Sequence, residues 1–168
     1  MSFVGARWWK FDFHTHTPAS FDYGKSDSNL KISKTPKDWL LDFIAKGIEC
    51  VAVTDHNSGD WIDELKYAAE NLRIEGHSIF VFPGVEITAN SNIHVLGIFD
   101  PNASSADISA IIGVSKFRGK KGDSDSVAEE SAENIIKEIQ SAGGVAIPAH
   151  IDMKAGLRQQ HSSHTIRQ

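Results

Sequence analysis

Five short apolar runs, each ending in or carrying a histidine or a carboxylate, constrain this chain more than anything else in it. They are Phe11-Asp12-Phe13-His14-Thr15-His16, Val51-Ala52-Val53-Thr54-Asp55-His56, Ile79-Phe80-Val81-Phe82-Pro83-Gly84-Val85-Glu86, Ile93-His94-Val95-Leu96-Gly97-Ile98-Phe99 and Gly144-Val145-Ala146-Ile147-Pro148-Ala149-His150. Runs of this length, rich in β-branched and aromatic residues, read as strands. Between most of them lie stretches with apolar residues three and four apart, which read as amphipathic helices. Strands alternating with helices imply βα units, a largely parallel sheet and helices on its outside. In such sheets the working groups gather at the carboxyl ends of the strands, where His14, His16, His56, Glu86 and His150 stand.

The first strand is expected over residues 8–13, running into two histidines spaced two apart, a spacing that aims both imidazoles of an extended chain at one point. Residues 18–34 lack periodicity and read as a loop leaving that site. Thr35-Pro36-Lys37-Asp38 is a helix start, with Thr as N-cap, Pro at the first helical position and an acid in the first turn. Trp39, Leu40, Phe43 and Ile44 form its stripe and Gly47 its stop. Residues 49–54 suit a strand covered on both faces. A second helix carries Trp61, Ile62, Leu65, Ala69 and Leu72 and stops at Gly76. A third strand over 78–82 is expected to break at Pro83-Gly84 before Val85-Glu86-Ile87. A fourth strand spans 93–99, and a short helix follows over 106–112. Residues 113–125 read as a mobile basic loop. Ser126-Val127-Ala128-Glu129 fits a capping box for a last helix with Ile135, Ile136 and Ile139, stopped by Gly143-Gly144 before a fifth strand over 145–150.

At 168 residues and 40% hydrophobic, the chain has material for one domain with a real core. That domain is expected over 1–152, followed by a polar tail, 153–168, holding His161 and His164. A formal net charge of -5 argues against holding nucleic acid or an acidic membrane by charge alone. The single cysteine, Cys50, opens an apolar run and reads as a buried core thiol in a reducing compartment. No apolar stretch approaches the roughly 20 residues of a membrane-spanning helix. Residues 1–10 also lack the order of a secretory signal, so a cytoplasmic location is expected.

Imidazoles mixed with carboxylates form a nitrogen and oxygen ligand field, which suits zinc, manganese or iron better than calcium or magnesium. Six or more candidate ligands exceed the four of one tetrahedral zinc, so two or three ions sharing a bridging carboxylate is the economical arrangement. Such a centre activates water near neutral pH and neutralises charge on attacking and leaving oxygens, two services that phosphoester hydrolysis needs. No serine or cysteine stands as an obvious nucleophile. Arg118, Lys120 and Lys121 are candidates for holding a substrate phosphate, with Arg118 as a bidentate clamp. Trp39 and Trp61 read as core anchors and His77 as a surface residue.

Taken together, His14-Thr15-His16, Thr54-Asp55-His56, Gly84-Val85-Glu86, His94-Val95-Leu96-Gly97 and Ala149-His150 resemble the PHP (polymerase and histidinol phosphatase) superfamily in order and spacing, over about residues 8–152. The resemblance implies a distorted (β/α)7 barrel of the α/β class, here incomplete with about five βα strands. It implies metal ligands at His14, His16, His56, Glu86, His94 and His150, with Asp22 as a further acidic ligand and Asp55 as a partner orienting a ligating imidazole. The activity implied is that of a metal-dependent phosphoesterase, a phosphatase or nuclease, acting through metal-activated water. Its substrate would be a nucleotide, a nucleic-acid end or a small phosphomonoester, with Glu86 bridging ions and Asp22 or Asp55 taking a proton. One departure stands out: no Asp-x-His pair, the family's last metal motif, follows the fifth strand. The chain thus resembles a truncated domain of this family. Its opening motif and its Phe117-Arg118-Gly119-Lys120-Lys121 loop are similar to the front of PHP proteins fused to an AAA-like ATPase (TrlF-type). The departure keeps a second expectation open, a non-catalytic regulatory or nucleic-acid-binding module of a larger ATPase-linked protein.

Overall fold

A computed structural model describes residues 6–153 and Gly156. Nearly all of the polar tail, with His161 and His164, lies outside the described residues. Strands β1 (Phe11–Thr15), β2 (Cys50–Val53), β3 (Phe80–Thr88), β4 (His94–Ile98) and β5 (Val145–Pro148) form one curled half-barrel sheet in the order β1-β2-β3-β4-β5. Around it run α1 (Ser28–Ser33), α2 (Pro36–Ala45), α3 (Ile62–Ile74), α4 (Ser105–Val114) and α5 (Ala132–Ser141). None of these helices is long and apolar enough to cross a membrane.

The sheet is mixed, which corrects the expectation of a largely parallel one. Pairs β1-β2 and β2-β3 are parallel, whereas β3-β4 and β4-β5 are antiparallel. The reason is the connection after β3. Ala89 N donates to Ile93 O at 2.9 Å across a tight turn in which Asn92 takes φ 57. A parallel crossover needs a dozen or more residues, and this turn has no room for one. Strand β4 alone is therefore reversed, and its first residue, His94, pairs with the last residue of β3, Thr88. A histidine at the start of its strand thus stands level with groups at the ends of the others.

A second correction concerns Pro83-Gly84, which does not interrupt β3. Pro83 makes the last pairing with β2, and Gly84 makes the first with β4. The dipeptide is where β3 exchanges one partner for the other. A Cβ on Gly84 would lie 2.7 Å from Gly97 O and 3.0 Å from Val53 O, so the close approach of both neighbours requires glycine here.

The core lies between the sheet and its helices. Trp39 and Leu40 of α2, Ile62, Leu65 and Leu72 of α3, Ile108 of α4, and Ile135 and Ile139 of α5 close with Val51, Val53, Val81, Val85 and Val95. Each such fully buried aliphatic side chain contributes about 1.5–3 kcal/mol. All four residues of β2 are buried, Cys50 among them. The opposite sheet face is only partly covered. Phe11 and Phe13 stack there with ring centroids 4.1 Å apart, while Phe13 and Phe80 stay about half exposed.

The α2 start is the one expected, with Thr35 Oγ1 accepting from Asp38 N at 3.2 Å and Pro36 leading the helix. Three local expectations differ. The first strand begins later and takes in His14. Residues 18–34 are not all loop, since Asp27 caps the short α1 by accepting from Asn29 N at 3.0 Å. The capping box at Ser126 is not formed; Ser131 caps α5 instead, accepting from Asn134 N at 3.2 Å. Ser126 Oγ is taken up by Asp123 at 2.7 Å, and Ala128 pairs with Phe117 in an isolated bridge.

Candidate metal centre

The ligand-bearing segments are fixed by backbone before any side chain meets another. The β1-β2 register slips between Asp12 and Thr15, and Thr54 closes the gap. Its hydroxyl accepts from Thr15 N at 3.1 Å, and its own N–H donates to Thr15 O at 2.9 Å. Thr15 is buried and donates to Ala52 O at 2.6 Å, which leaves its neighbours His14 and His16 directed the other way. Trp39 Nε1, reaching over from α2, donates to His16 O at 3.0 Å. Past β2 the chain runs on beside β3, with Glu86 N donating to Asp55 O at 3.0 Å and Asn57 N donating to Glu86 O at 2.9 Å. Asn57 and His150 both take positive φ, 48 and 49, a region in which Asn and His are enriched.

One sealed carboxylate is the hub. Glu86 Oε2 lies 3.0 Å from His14 Nε2, 3.0 Å from His16 Nε2 and 3.2 Å from His56 Nδ1. Its Oε1 lies 2.8 Å from His94 Nδ1 and 3.2 Å from His150 Nε2. Asp22 closes the other side, 3.2 Å from His16 Nδ1 and 3.4 Å from His56 Nε2. All seven candidate ligands named from the sequence are brought together. Within this group three overlapping triads, His14-His16-Glu86, His16-Asp22-His56 and His56-Glu86-His94, each have ligand atoms within 4.8 Å of one another.

The residues fit a divalent cation. A carboxylate offers about four acceptor positions, yet five imidazole nitrogens crowd this one. His56 Nδ1 is buried and makes no hydrogen bond among the described residues despite its nearness to Glu86. An orphaned polar atom of this kind costs about 1–3 kcal/mol, and a cation would satisfy it. The donor set, imidazole nitrogen with carboxylate oxygen, suits zinc, manganese or iron.

The charges are tightly linked. Burial pushes the Glu86 carboxyl up, but His14, His16 and His94 outweigh it and hold it well below the usual carboxylate range. Asp22 is held low in the same way, its burial overcome by His16 and His56. Burial lowers the His16 imidazole, yet Asp22 and Glu86 together raise it to about 10. His150 is lowered, chiefly by burial.

Asp55 plays a different part from the one the resemblance implies. Among the described residues no imidazole bonds to it. Its Oδ1 accepts from Thr17 N and from Ser20 Oγ, each at 2.7 Å, and its Oδ2 accepts from Thr17 Oγ1 at 2.6 Å. Ser20 Oγ in turn accepts from His56 N at 3.1 Å. Asp55 therefore pins the 17–20 turn to His56, which sets how His16 and Asp22 face it.

The basic residues do not reach the cluster. Arg118 pairs with Glu129 at 2.9 Å and Lys121 with Asp60 at 2.8 Å, both on the surface. Lys120 is exposed, and its backbone N donates to Ser126 Oγ at 3.3 Å. The cavity over the cluster, about 440 Å³, is lined by His14, His16, Asp22, His56, His94, His150 and Ser124. Sequence reasoning missed Ser124, hidden in a loop whose cations drew the attention. It also missed that this loop is tied down. Gly122 N donates to His56 O and Gly122 O accepts from Phe21 N, both at 2.7 Å. Gly122 takes φ 83, and a Cβ there would lie 2.1 Å from Ala19 O. A larger groove of about 570 Å³ runs between α2 and α3, but its walls converge no such ligand set.

No family model and no curated protein matches the sequence. Several solved structures share the fold, two of which are informative. One, from Bifidobacterium adolescentis and provisionally described as a metal-dependent phosphoesterase, aligns with a TM-score of 0.64 at 17% identity, over 95% of this chain and 73% of that one. The other, an amidohydrolase from Chromobacterium violaceum with bound sulfate and no metal, aligns with a TM-score of 0.57 at 18% identity, over 86% of this chain and 69% of that one.

Proposed function

We propose that this chain is a metal-dependent hydrolase of phosphoesters, its substrate a nucleotide, a nucleic-acid end or a small phosphomonoester. The observation that carries the reading is a fully buried Glu86 faced by five imidazoles, with Asp22 flanking two of them from the open side. A zinc, manganese or iron ion held there supplies an acidic water near neutral pH and charge neutralisation at a phosphoryl oxygen. Glu86, on β3, gathers the imidazoles of His14 on β1, His94 on β4, and His16, His56 and His150 just past the ends of β1, β2 and β5. Asp22 orients His16 and His56 from their far nitrogens, the role an outer carboxylate plays for a ligating imidazole. Of the two aspartates considered as proton acceptors, only Asp22 reaches the cavity, because Asp55 is sealed behind Thr17 and Ser20. Fold likeness to a protein described as a phosphoesterase supports the reading.

The test is elemental analysis of the metal-loaded chain beside its His14→Ala and Glu86→Ala variants, with hydrolysis of p-nitrophenyl phosphate in added manganese or zinc. We expect about two transition-metal ions per chain, reduced in both variants, and hydrolysis lost in both while circular dichroism is retained. No bound metal after loading, or an unchanged rate in either variant, would overturn it.

A further inference from the structure

Every described residue lining the cavity is a candidate ligand except Ser124. Among the described lining residues there is no lysine or arginine, so this hydroxyl is the one polar group of the wall left for a substrate beyond the candidate ligands. Among the described residues the Ser124 hydroxyl has no hydrogen-bond partner, and the residue is only half-buried, at the cavity wall. Its backbone, in contrast, is held on several sides. Thr88 Oγ1 donates to Ser124 O at 3.3 Å, and Asn57 Nδ2 donates to the flanking carbonyls of Asp123 and Ser126 at 3.3 and 3.4 Å. The neighbouring Asp123 carboxylate is occupied by Ser126 Oγ and Asp125 N. Asn57 is fully buried and adjoins His56, and its Oδ1 has no partner among the described residues. Its amide is therefore committed, through Nδ2, to the two loop carbonyls. With Gly122 tied to both Phe21 and His56, the loop is strapped to the two segments that carry His16, Asp22 and His56.

We propose that Ser124 donates its hydroxyl hydrogen bond to a phosphoryl oxygen of the substrate on the side away from the metal ions, with Asn57 as the residue that positions it. This rests on the phosphoesterase reading. A hydrogen bond to a charged acceptor implies that removing the hydroxyl weakens phosphate binding roughly ten- to hundredfold.

The probe is inorganic phosphate, titrated calorimetrically into the full chain loaded with manganese, with metal content measured on the same samples. Ser124→Ala and Asn57→Asp should each weaken phosphate binding at unchanged metal content. Ser124→Thr, which keeps the hydroxyl, should restore it. The double variant Ser124→Ala/Asn57→Asp should bind no worse than Ser124→Ala, because Asn57 acts through Ser124. Phosphate bound as tightly by Ser124→Ala as by the unaltered chain would overturn the role of Ser124 alone. Additive losses in the double variant would overturn the coupling to Asn57. Metal-loaded chain that binds no phosphate would overturn the phosphoester reading and this inference with it.

Discussion

Replacing Asp55 separates a structural hub from a metal-orienting carboxylate. Truncation in Asp55→Ala leaves three buried donors, Thr17 N, Thr17 Oγ1 and Ser20 Oγ, without their acceptor. Each stranded donor costs about 1–3 kcal/mol, and with partial relaxation the sum comes to about 4 kcal/mol. At a urea m value of about 2 kcal/mol/M, the unfolding midpoint should fall by about 2 M. Asp55→Asn should behave differently. If its oxygen keeps the Oδ1 position, it still accepts from Thr17 N and Ser20 Oγ, while Thr17 Oγ1 turns to accept from the new amide. The asparagine therefore costs only about 1 kcal/mol, a midpoint shift of about 0.5 M. The assay is urea denaturation of the metal-free chain by fluorescence and circular dichroism together. An alanine variant as stable as the original would refute the hub. An asparagine variant that keeps its stability but loses its metal would return Asp55 to the side of an imidazole.

Two further outcomes follow from the geometry. With His16 raised to about 10 from an ordinary value of 6.5, its stabilisation of the metal-free chain is full below 6.5 and is lost as pH rises toward 10. Glu86 and Asp22, held low, contribute above their ordinary values and lose that contribution as pH falls through the acid range. Metal loading at pH 8 should therefore release about one proton per chain from His16, read with an indicator dye in weak buffer, and uptake with no release would refute the linkage. Gly84→Ala would drive a Cβ into Gly97 O and Val53 O, costing about 2–3 kcal/mol and lowering the melting temperature by about 8 °C. A melting temperature within about 1 °C of the original would show that the strands can part.

The side chains of the site were more legible than the sheet that presents them. His14, His16, His56, Glu86 and His150 stand out because each closes an apolar run, and periodicity marks such run ends well. Strand direction leaves no such mark. Only the brevity of Ala89-Asn90-Ser91-Asn92 signalled that β4 turns back, and without that reversal His94 sits at the wrong end of its strand. Pro83-Gly84 misled because a strand that swaps partners looks, residue by residue, like one that stops. Ser126 misled because its hydroxyl had two uses, a helix cap or Asp123, and the choice depends on Phe117 and on Thr88, the latter far back in the chain. The part played by Asp55 was hidden for the same reason, since its partners lie 35 and 38 positions earlier.

The reversed β4 also sets the order in which the centre can assemble. Glu86 and His94 are 8 positions apart across one tight turn, whereas His14 and His16 are 72 and 70 positions from Glu86. A hairpin closes in about 1–10 μs, while pairing a distant strand waits on the slow closure of a long loop. The folding chain is therefore expected to bring Glu86 and His94 together first and to receive β1 late, an order that φ-values near 0 in β1 and higher in the β3-β4 hairpin would bear out. Interactions completed after the folding barrier slow unfolding without hastening folding. A cation held by these side chains is in that sense a latch on the finished protein and not a seed for it.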